Sequence, residues 1–327
     1  MRTFVTGGSG FIGSAVVLEL LRRGQAVRAL VRSRASPGNL AGLDVELVEG
    51  DLLDGDSLRR AVEGCDRVYH MAAIYANWLP DRSIILRANV EGTRNILQAC
   101  QERGVERVVY TSSVAALGAH GKAPANESAQ FNLAGAGDHY YLSKYQAEQV
   151  ALEFAAKGLP VVIVNPTNPV GPRDVKPTPT GALIVNLLKG RLPGYVEGGI
   201  NVVDVGDVAA GHVLAMEKGR PGEKYVLGNA NLSIREYFHL IAEAGGGRAP
   251  AMRIPLPLAV ATAYLYEAMA AVTQKPPVTT PGWVKVGSHY SFWDCSKAIR
   301  ELGLPQTPVQ ESLQKSIAWF REHGYLK

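Results

Sequence analysis

The sequence predicts an α/β protein with a doubly wound parallel sheet and a smaller, mostly helical lobe, and three observations carry that prediction. Short β-branched runs alternate with helix-length amphipathic segments over the first two thirds of the chain. The runs are almost continuously hydrophobic, as expected of strands covered by helices on both faces. After Pro166 the alternation loosens: proline and glycine punctuate residues 166–200, and helical segments dominate from Ser233 onward.

In chain order, strands are expected at 3–6, 26–31, 45–49, 67–70, 107–111, 161–165 and 201–205. Crossover helices fall at 11–23, 56–63, 83–103, 139–157 and 208–218. Gly24, Gly104 and Gly158 follow three of these helices, where a left-handed residue closes the last turn without a steric penalty. Residues 202–218 and 224–227 read as a returning strand, helix and strand, so the second lobe is expected to be discontinuous. The division that follows is a dinucleotide-type domain over 1–165, continued by 201–228, and a substrate lobe over 166–200 and 229–327. A length of 327 residues suits one dominant domain with such a lobe.

The bulk numbers exclude several classes. With 46% hydrophobic and 20% charged residues the chain is neither disordered nor fibrous. Its net charge of +4 is small, and basic residues stand beside acidic ones, as in Glu102, Arg103, Glu106 and Arg107, so no nucleic-acid surface is expected. Cys65, Cys100 and Cys295 lie far apart without ligand or pairing spacing, which fits a reducing compartment. The N-terminus enters a strand directly and shows no signal-peptide pattern, so a cytoplasmic location is expected. The longest apolar stretch, 256–272, is interrupted by Thr262 and Glu267; it is short for a membrane span and reads as a buried helix.

Chemistry first appears after the first strand, in Thr6-Gly7-Gly8-Ser9-Gly10-Phe11-Ile12-Gly13. Glycine at 7 permits the tight turn, glycine at 10 lets backbone approach a diphosphate, and glycine at 13 allows close packing of helix on strand. The helix opening at Phe11 and Ile12 offers unpaired N–H groups and a partial positive charge to the phosphates. Strand, spacing and helix in that order make the sheet Rossmann-type and a nicotinamide dinucleotide the expected cofactor. Where an acid usually meets the ribose 2′-hydroxyl, at the end of the second strand, this chain has Arg32, with Arg34 close behind. A guanidinium suits a 2′-phosphate, so NADP(H) is favoured over NAD(H); the alternative has Arg32 stacked on adenine and Arg34 as plain surface. Asp51 and Leu52 are placed to meet the adenine, although Asp51 also suits capping the next turn. Ala72 and Ala73, after the fourth strand, let backbone pass beside the cofactor, while His70 reads as a core histidine.

Tyr140 and Lys144 stand four apart on a predicted helix and so share one face. An ammonium beside a phenol favours the phenolate and makes the hydroxyl a workable proton donor or acceptor near neutral pH. Ser112 and Ser113 end the fifth strand, at the sheet edge where ligands bind in open α/β folds. A Ser, Tyr and Lys set beside a nicotinamide suits hydride transfer to a carbonyl. No HExxH or other ligand cluster points to a metal, and no GxSxG elbow points to serine hydrolysis.

With these residues in place the chain resembles the extended short-chain dehydrogenase/reductase family, also called the NAD-dependent epimerase/dehydratase family. Within it the sequence is most similar to dihydroflavonol-4-reductase-like proteins and the hopanoid-associated sugar epimerase group. The resemblance rests on Asn89-Val90-Glu91-Gly92-Thr93-Arg94-Asn95, Tyr110-Thr111-Ser112-Ser113-Val114 and Val175-Lys176-Pro177-Thr178-Pro179-Thr180-Gly181. It implies that Ser113 rather than Ser112 is catalytic, that Lys144 also holds the nicotinamide ribose, and that Asn89 props the active-site wall. For Asn89 the alternative is a helix-interior asparagine bonding its own backbone. In the segment from Asn165 to Pro172, Pro166 and Thr167 are implied to meet the nicotinamide carboxamide and Asn168 to face substrate; a tight turn explains the prolines equally.

The sequence departs from sugar-nucleotide epimerases at residues 199–204, where the arginine they commonly set against a substrate diphosphate is missing and Asn201 stands nearby. Related proteins also tend to carry His where Asp204 stands and Asp where Gly206 stands. The leading expectation is therefore NADP(H)-dependent reduction of a ketone or aldehyde, or the reverse. A sugar-nucleotide epimerase or dehydratase is the second reading and a redox-sensing binding protein the third. Tyr75, Trp78, Val114 and Asn168 are candidate pocket residues, though ordinary packing explains each. The resemblance further implies a homodimer through segments 83–103 and 139–157.

Overall fold

The computed structural model describes residues 2–76 and 78–326. The first strands and helices alternate as β1 (Arg2–Thr6), α1 (Phe11–Arg22), β2 (Ala26–Val31), β3 (Glu46–Glu49), α2 (Gly55–Val62), β4 (Arg67–His70), α3 (Ser83–Leu86), α4 (Gly92–Glu102) and β5 (Arg107–Thr111). Then come β6 (Gly121–Ala125), α5 (His139–Ala156), β7 (Val161–Pro166), β8 (Asn168–Val170), α6 (Pro179–Leu188), β9 (Gly199–Asp204), α7 (Val205–Lys218) and β10 (Lys224–Leu227). The chain closes with β11 (Ala230–Ser233), α8 (Ile234–Gly245), α9 (Leu256–Thr273), α10 (Pro281–Gly287), β12 (Ser291–Trp293), α11 (Ser296–Leu302) and α12 (Val309–Glu322).

Seven strands form the central sheet in the order β3-β2-β1-β4-β5-β7-β10, and each neighbouring pair is parallel. This is the Rossmann-type doubly wound sheet, with its switch point between β1 and β4. One face is packed by α1 and α7, where Val16, Val17 and Leu20 meet Val208, Val213 and Met216. The other is packed by α2, α4 and α5, through Leu58, Ile96, Ala147 and Phe154. A separate core of Ile184, Tyr237, Ile241, Leu313 and Phe320 holds the lobe built on α6, α8 and α12.

Three expectations are corrected. The strand expected at 201–205 does not join the central sheet: β9 pairs with β8 and β11 in a sheet of its own, and β10 supplies the seventh central strand. The helix expected at 83–103 is broken by a π turn over Arg87–Glu91, and Asn89 within it turns its amide onto the neighbouring loop rather than its own helix. The apolar stretch expected to be buried forms α9, which is mostly exposed, with 11% of its residues buried. By length and composition alone α9 passes for a membrane span. Its burial was expected from hydropathy, which does not register whether a packing partner exists.

Candidate active site

The turn after β1 has the geometry of a phosphate cradle. Gly7 sits at φ +74°, and a Cβ there would come within 2.6 Å of the Ala72 nitrogen. A Cβ on Gly13 would meet the Gly7 carbonyl oxygen at 2.1 Å, so the first helix turn lies directly on the loop. Gly10 is the N-cap of α1 and provides no side-chain cap. The first N–H groups of the helix, at Phe11 and Ile12, are thus left for an anion. Closeness that excludes every side chain, together with an uncapped helix start, fits a dinucleotide diphosphate. Above the loop Asn39 donates to the carbonyls of Gly10 (3.4 Å) and Arg173 (3.0 Å), and Arg173 donates back to the Asn39 carbonyl. This clasp joins two segments 134 residues apart, with Arg173 held at φ +73°. No local pattern announces a contact of that range.

Arg32 and Arg34 lie exposed just beyond β2. Asp51 accepts the Leu53 N–H at 2.8 Å, so one oxygen of its carboxylate closes its own turn, and Asp54 rather than Asp51 caps α2. Leu52 packs beside Gly92 and its carbonyl accepts from Asn95. Ala72 donates to the Thr6 hydroxyl at 3.3 Å, which fixes the strand end beside the cradle, and Ala73 is exposed next to it. His70 bonds Thr6 at 2.7 Å and Thr93 at 3.1 Å; burial pushes it down to about 3, so it is a neutral core histidine.

Ser113, Tyr140 and Lys144 come together at the carboxyl edge of β5. Asp138 caps α5 by accepting the N–H groups of Tyr140 (2.9 Å) and Tyr141 (3.1 Å), which fixes the start of the helix that carries Tyr140 and Lys144. Burial holds the Tyr140 phenol above its usual pKa, while a hydrogen bond with Ser113 pulls the other way. The expected lowering of this phenol by Lys144 is corrected: the Lys144 ammonium donates to the Thr111 carbonyl at 2.8 Å, and in the protein by itself desolvation of the phenol dominates. Lys144 is pushed down to about 8 by burial, with Glu148 opposing. Ser113 also accepts the Ala115 N–H at 3.1 Å.

Beneath this set lies a buried network that the sequence reading missed. One Glu148 oxygen accepts from the Ser112 hydroxyl and the Asn165 amide, both at 2.6 Å. Asn165 also donates to the Ser113 carbonyl at 3.1 Å, and Lys224 lies 3.5 Å from the other Glu148 oxygen. Ser112 therefore anchors the floor. Glu148 stands four residues after Lys144, so extending the helical spacing by one step places it on the same face. Asn89 completes the wall: its carbonyl oxygen accepts from Ile74 at 2.7 Å, and its amide donates to the Ile74 carbonyl and to Ser143.

Residues 3–228 match the NAD dependent epimerase/dehydratase family. A Synechocystis sp. protein provisionally named a dihydroflavonol 4-reductase is 44% identical over 99% of this chain and 96% of its own length. The chain belongs to that family. Sterol demethylase protein B of Methylococcus capsulatus is 35% identical, with both chains fully covered. The crystal structure of gox2253 superposes with a TM-score of 0.88 at 42% identity, covering 100% of this chain and 99% of that one. As a member of the NAD-dependent epimerase/dehydratase family, of extended short-chain dehydrogenase/reductase type, the protein is an NAD(P)-dependent enzyme.

Beside Tyr140 the surface is aromatic. The Tyr75 ring lies 4.4 Å from that of Tyr140 and 6.4 Å from that of Trp283, which sequence reasoning did not single out because α10 lies far along the chain. A neighbouring cavity of about 230 Å³ is lined by Trp78, Arg82, Ile85, Tyr264 and Lys285 among others. Two candidate pocket residues also make contacts within the fold. Val114 is buried in a cluster with Leu117, Val226 and Trp293, and Asn168 donates its amide to the Asn201 carbonyl at 3.0 Å. Thr167 directs its N–H to Leu227 at 3.1 Å, following Pro166, which has no N–H to offer, so neither gives a backbone donor to a carboxamide. Asn201 is fully buried and ties β9 to Asn229 and Asn231. Asp204 caps α7 through the Gly206 N–H at 2.7 Å.

Proposed function

We propose that this enzyme reduces a ketone or aldehyde on a largely apolar molecule, or oxidises the corresponding alcohol, with NADP(H) as the preferred cofactor. The observation that carries the reading is the meeting of Ser113, Tyr140 and Lys144 at the sheet edge beside the glycine cradle. When bound, the nicotinamide supplies or accepts the hydride. Tyr140 delivers the proton to the carbonyl oxygen, and the Ser113 hydroxyl donates to the same oxygen as negative charge develops. Lys144, still largely an ammonium at neutral pH, supplies the positive charge that favours proton transfer through the phenol once water is displaced.

Three observations support the finer parts. Arg32 and Arg34 stand where an acid would favour NAD(H), and their charge matches a 2′-phosphate. The rings of Tyr75, Tyr140 and Trp283 suit a flat or apolar substrate body, and the names of the Synechocystis and Methylococcus relatives refer to a flavonol and a sterol. The arginine that epimerases commonly set against a substrate diphosphate is absent, and the nearby Asn201 is turned into the fold, which weakens the sugar-nucleotide reading.

Purified protein offered NADPH or NADH with a panel of aromatic and alicyclic ketones tests this. Faster consumption of NADPH supports the proposal. Interconversion of sugar nucleotides without net cofactor consumption establishes the epimerase instead, and tight binding without turnover establishes a sensor. Tyr140→Phe is expected to abolish turnover while sparing cofactor affinity measured by calorimetry.

A further inference from the structure

Helix α9 (Leu256–Thr273) carries its apolar side chains on the outside. Leu258, Leu265, Met269 and Val272 are 60%, 61%, 54% and 86% exposed. At 3.6 residues per turn they fall, with Thr262, within an arc of about 80°. That face has no charge. The one charged residue of the helix, Glu267, is turned away from it into an ion pair with Arg82 at the cavity. The inner face is committed to protein: Ala263 and Ala270 are buried, and Lys285 of α10 lies over the Tyr264 ring. Met252 and Val278, before and after the helix in the chain, are exposed as well. Exposed Arg248 and Arg253 precede it and exposed Lys275 follows it.

We propose that α9 docks this protein onto an anionic lipid bilayer. The helix lies in the plane of the interface, with Leu258, Leu265, Met269 and Val272 among the acyl chains and Arg248, Arg253 and Lys275 at the headgroups. Two magnitudes select this occupant. A helix of 18 residues is about 27 Å long and about 10 Å wide, so its outer face offers roughly 270 Å², far below the ~800 Å² per partner of a stable protein interface. A second copy seated on α9 alone therefore falls short, whereas a bilayer needs no complementary shape. The flanking charge is three cations, of which Arg253 is shared with Glu197, against one acid already paired to Arg82; this is the sign an anionic surface attracts. Spanning is excluded by the protein packed along the inner face. The proposal is independent of the redox reading.

Flotation of the full chain with phosphatidylcholine vesicles containing about one third phosphatidylglycerol tests it. The protein is expected to float with these vesicles and to partition at least ~tenfold more weakly to pure phosphatidylcholine. The double variant Leu265→Glu, Met269→Glu is expected to lose at least ~tenfold in partition to the anionic vesicles, with unchanged Tm and cofactor affinity. Wild-type protein that stays unbound overturns the proposal, as does a double variant that floats equally well. Light scattering that shows a wild-type dimer split by the double variant assigns the face to a second copy instead.

Discussion

The floor of the active site and helix α9 dispose of polarity in opposite ways. Beneath Ser113 a carboxylate, a hydroxyl and an amide are buried, and the bonds among Glu148, Ser112 and Asn165 leave the charge matched by donors. On α9 the apolar groups face outward and the one charge faces in. Buried charge is costly unless partnered, and the Glu148 carboxylate finds its donors within the chain, although the Asn165 amide oxygen is left without a partner. Exposed apolar groups in a row have no such internal account, and they point to something outside the chain. Substitutions on the floor should therefore change both stability and rate, whereas substitutions on the outer face of α9 should change neither.

The sharpest break of this comparison is at Tyr140, which sits on the floor's own helix yet is needed for the proposed chemistry rather than the packing. Tyr140→Phe should lower turnover by about 10³-fold and leave the urea midpoint nearly unchanged. A variant retaining a tenth of wild-type turnover would remove the phenol from its assigned role. Glu148→Leu should do the reverse in kind: it strands the Ser112 hydroxyl and the Asn165 amide, and urea unfolding should report a loss of about 4 kcal/mol. Glu148→Gln keeps an acceptor but removes the charge that supports the Lys144 ammonium. Its signature is a pH profile: wild-type reduction should fall as pH rises through about 8, and in Glu148→Gln the fall should begin at lower pH. An unmoved alkaline limb would show that Glu148 does not act on Lys144.

Acid should act on the protein through buried groups of the sheet and its loops rather than through α9. His70 and His212 are held neutral by burial, down to about 3 and about 4. Between pH 6.5 and about 4 the unfolded chain takes up protons that these folded rings refuse, so stability falls as pH falls, by about 3 kcal/mol for each ring at pH 4. Asp174, raised to about 6 by burial, works the other way: folded protein protonates it before unfolded chain does, returning about 2 kcal/mol by pH 4. For these three groups the net expected loss at pH 4 is about 4 kcal/mol, read as a lower thermal midpoint. A midpoint constant from pH 7 to pH 4 would mean that the histidines are not buried as described.

How much of this was legible in the sequence follows from the range of the interactions. The cradle was readable because its three glycines answer to one local steric demand, and Tyr140 and Lys144 were readable because helical spacing places them on one face. The separate sheet of β9 was not, since a strand's sequence does not specify which neighbour it pairs with. Trp283 and the Asn39–Arg173 clasp join segments more than a hundred residues apart and leave no periodic trace. Val114, Asn168 and Thr167 were assigned roles by position, and position does not predict the packing and hydrogen bonds that each makes within the fold. For α9, hydropathy announced a helix to be buried, and the fold supplied a partner for one face.

The smallest expected effect is the most discriminating for α9. Val272 is among the most exposed apolar residues of the molecule, while Ala270, two positions earlier, is buried against the rest of the protein. Val272→Ser removes two methyl groups from water and should change unfolding free energy by less than about 0.5 kcal/mol. Ala270→Leu forces extra volume into a packed seam and should cost about 1 to 3 kcal/mol. If the two variants behave in this unequal way in detergent-free buffer, the inner face holds α9 to the protein and the outer face contributes nothing to folding. Its apolar character then has to be explained by what the outer face meets. If Val272→Ser instead destabilises as much as Ala270→Leu, the outer face is already covered within the protein's own assembly, and the contrast between the two regions disappears.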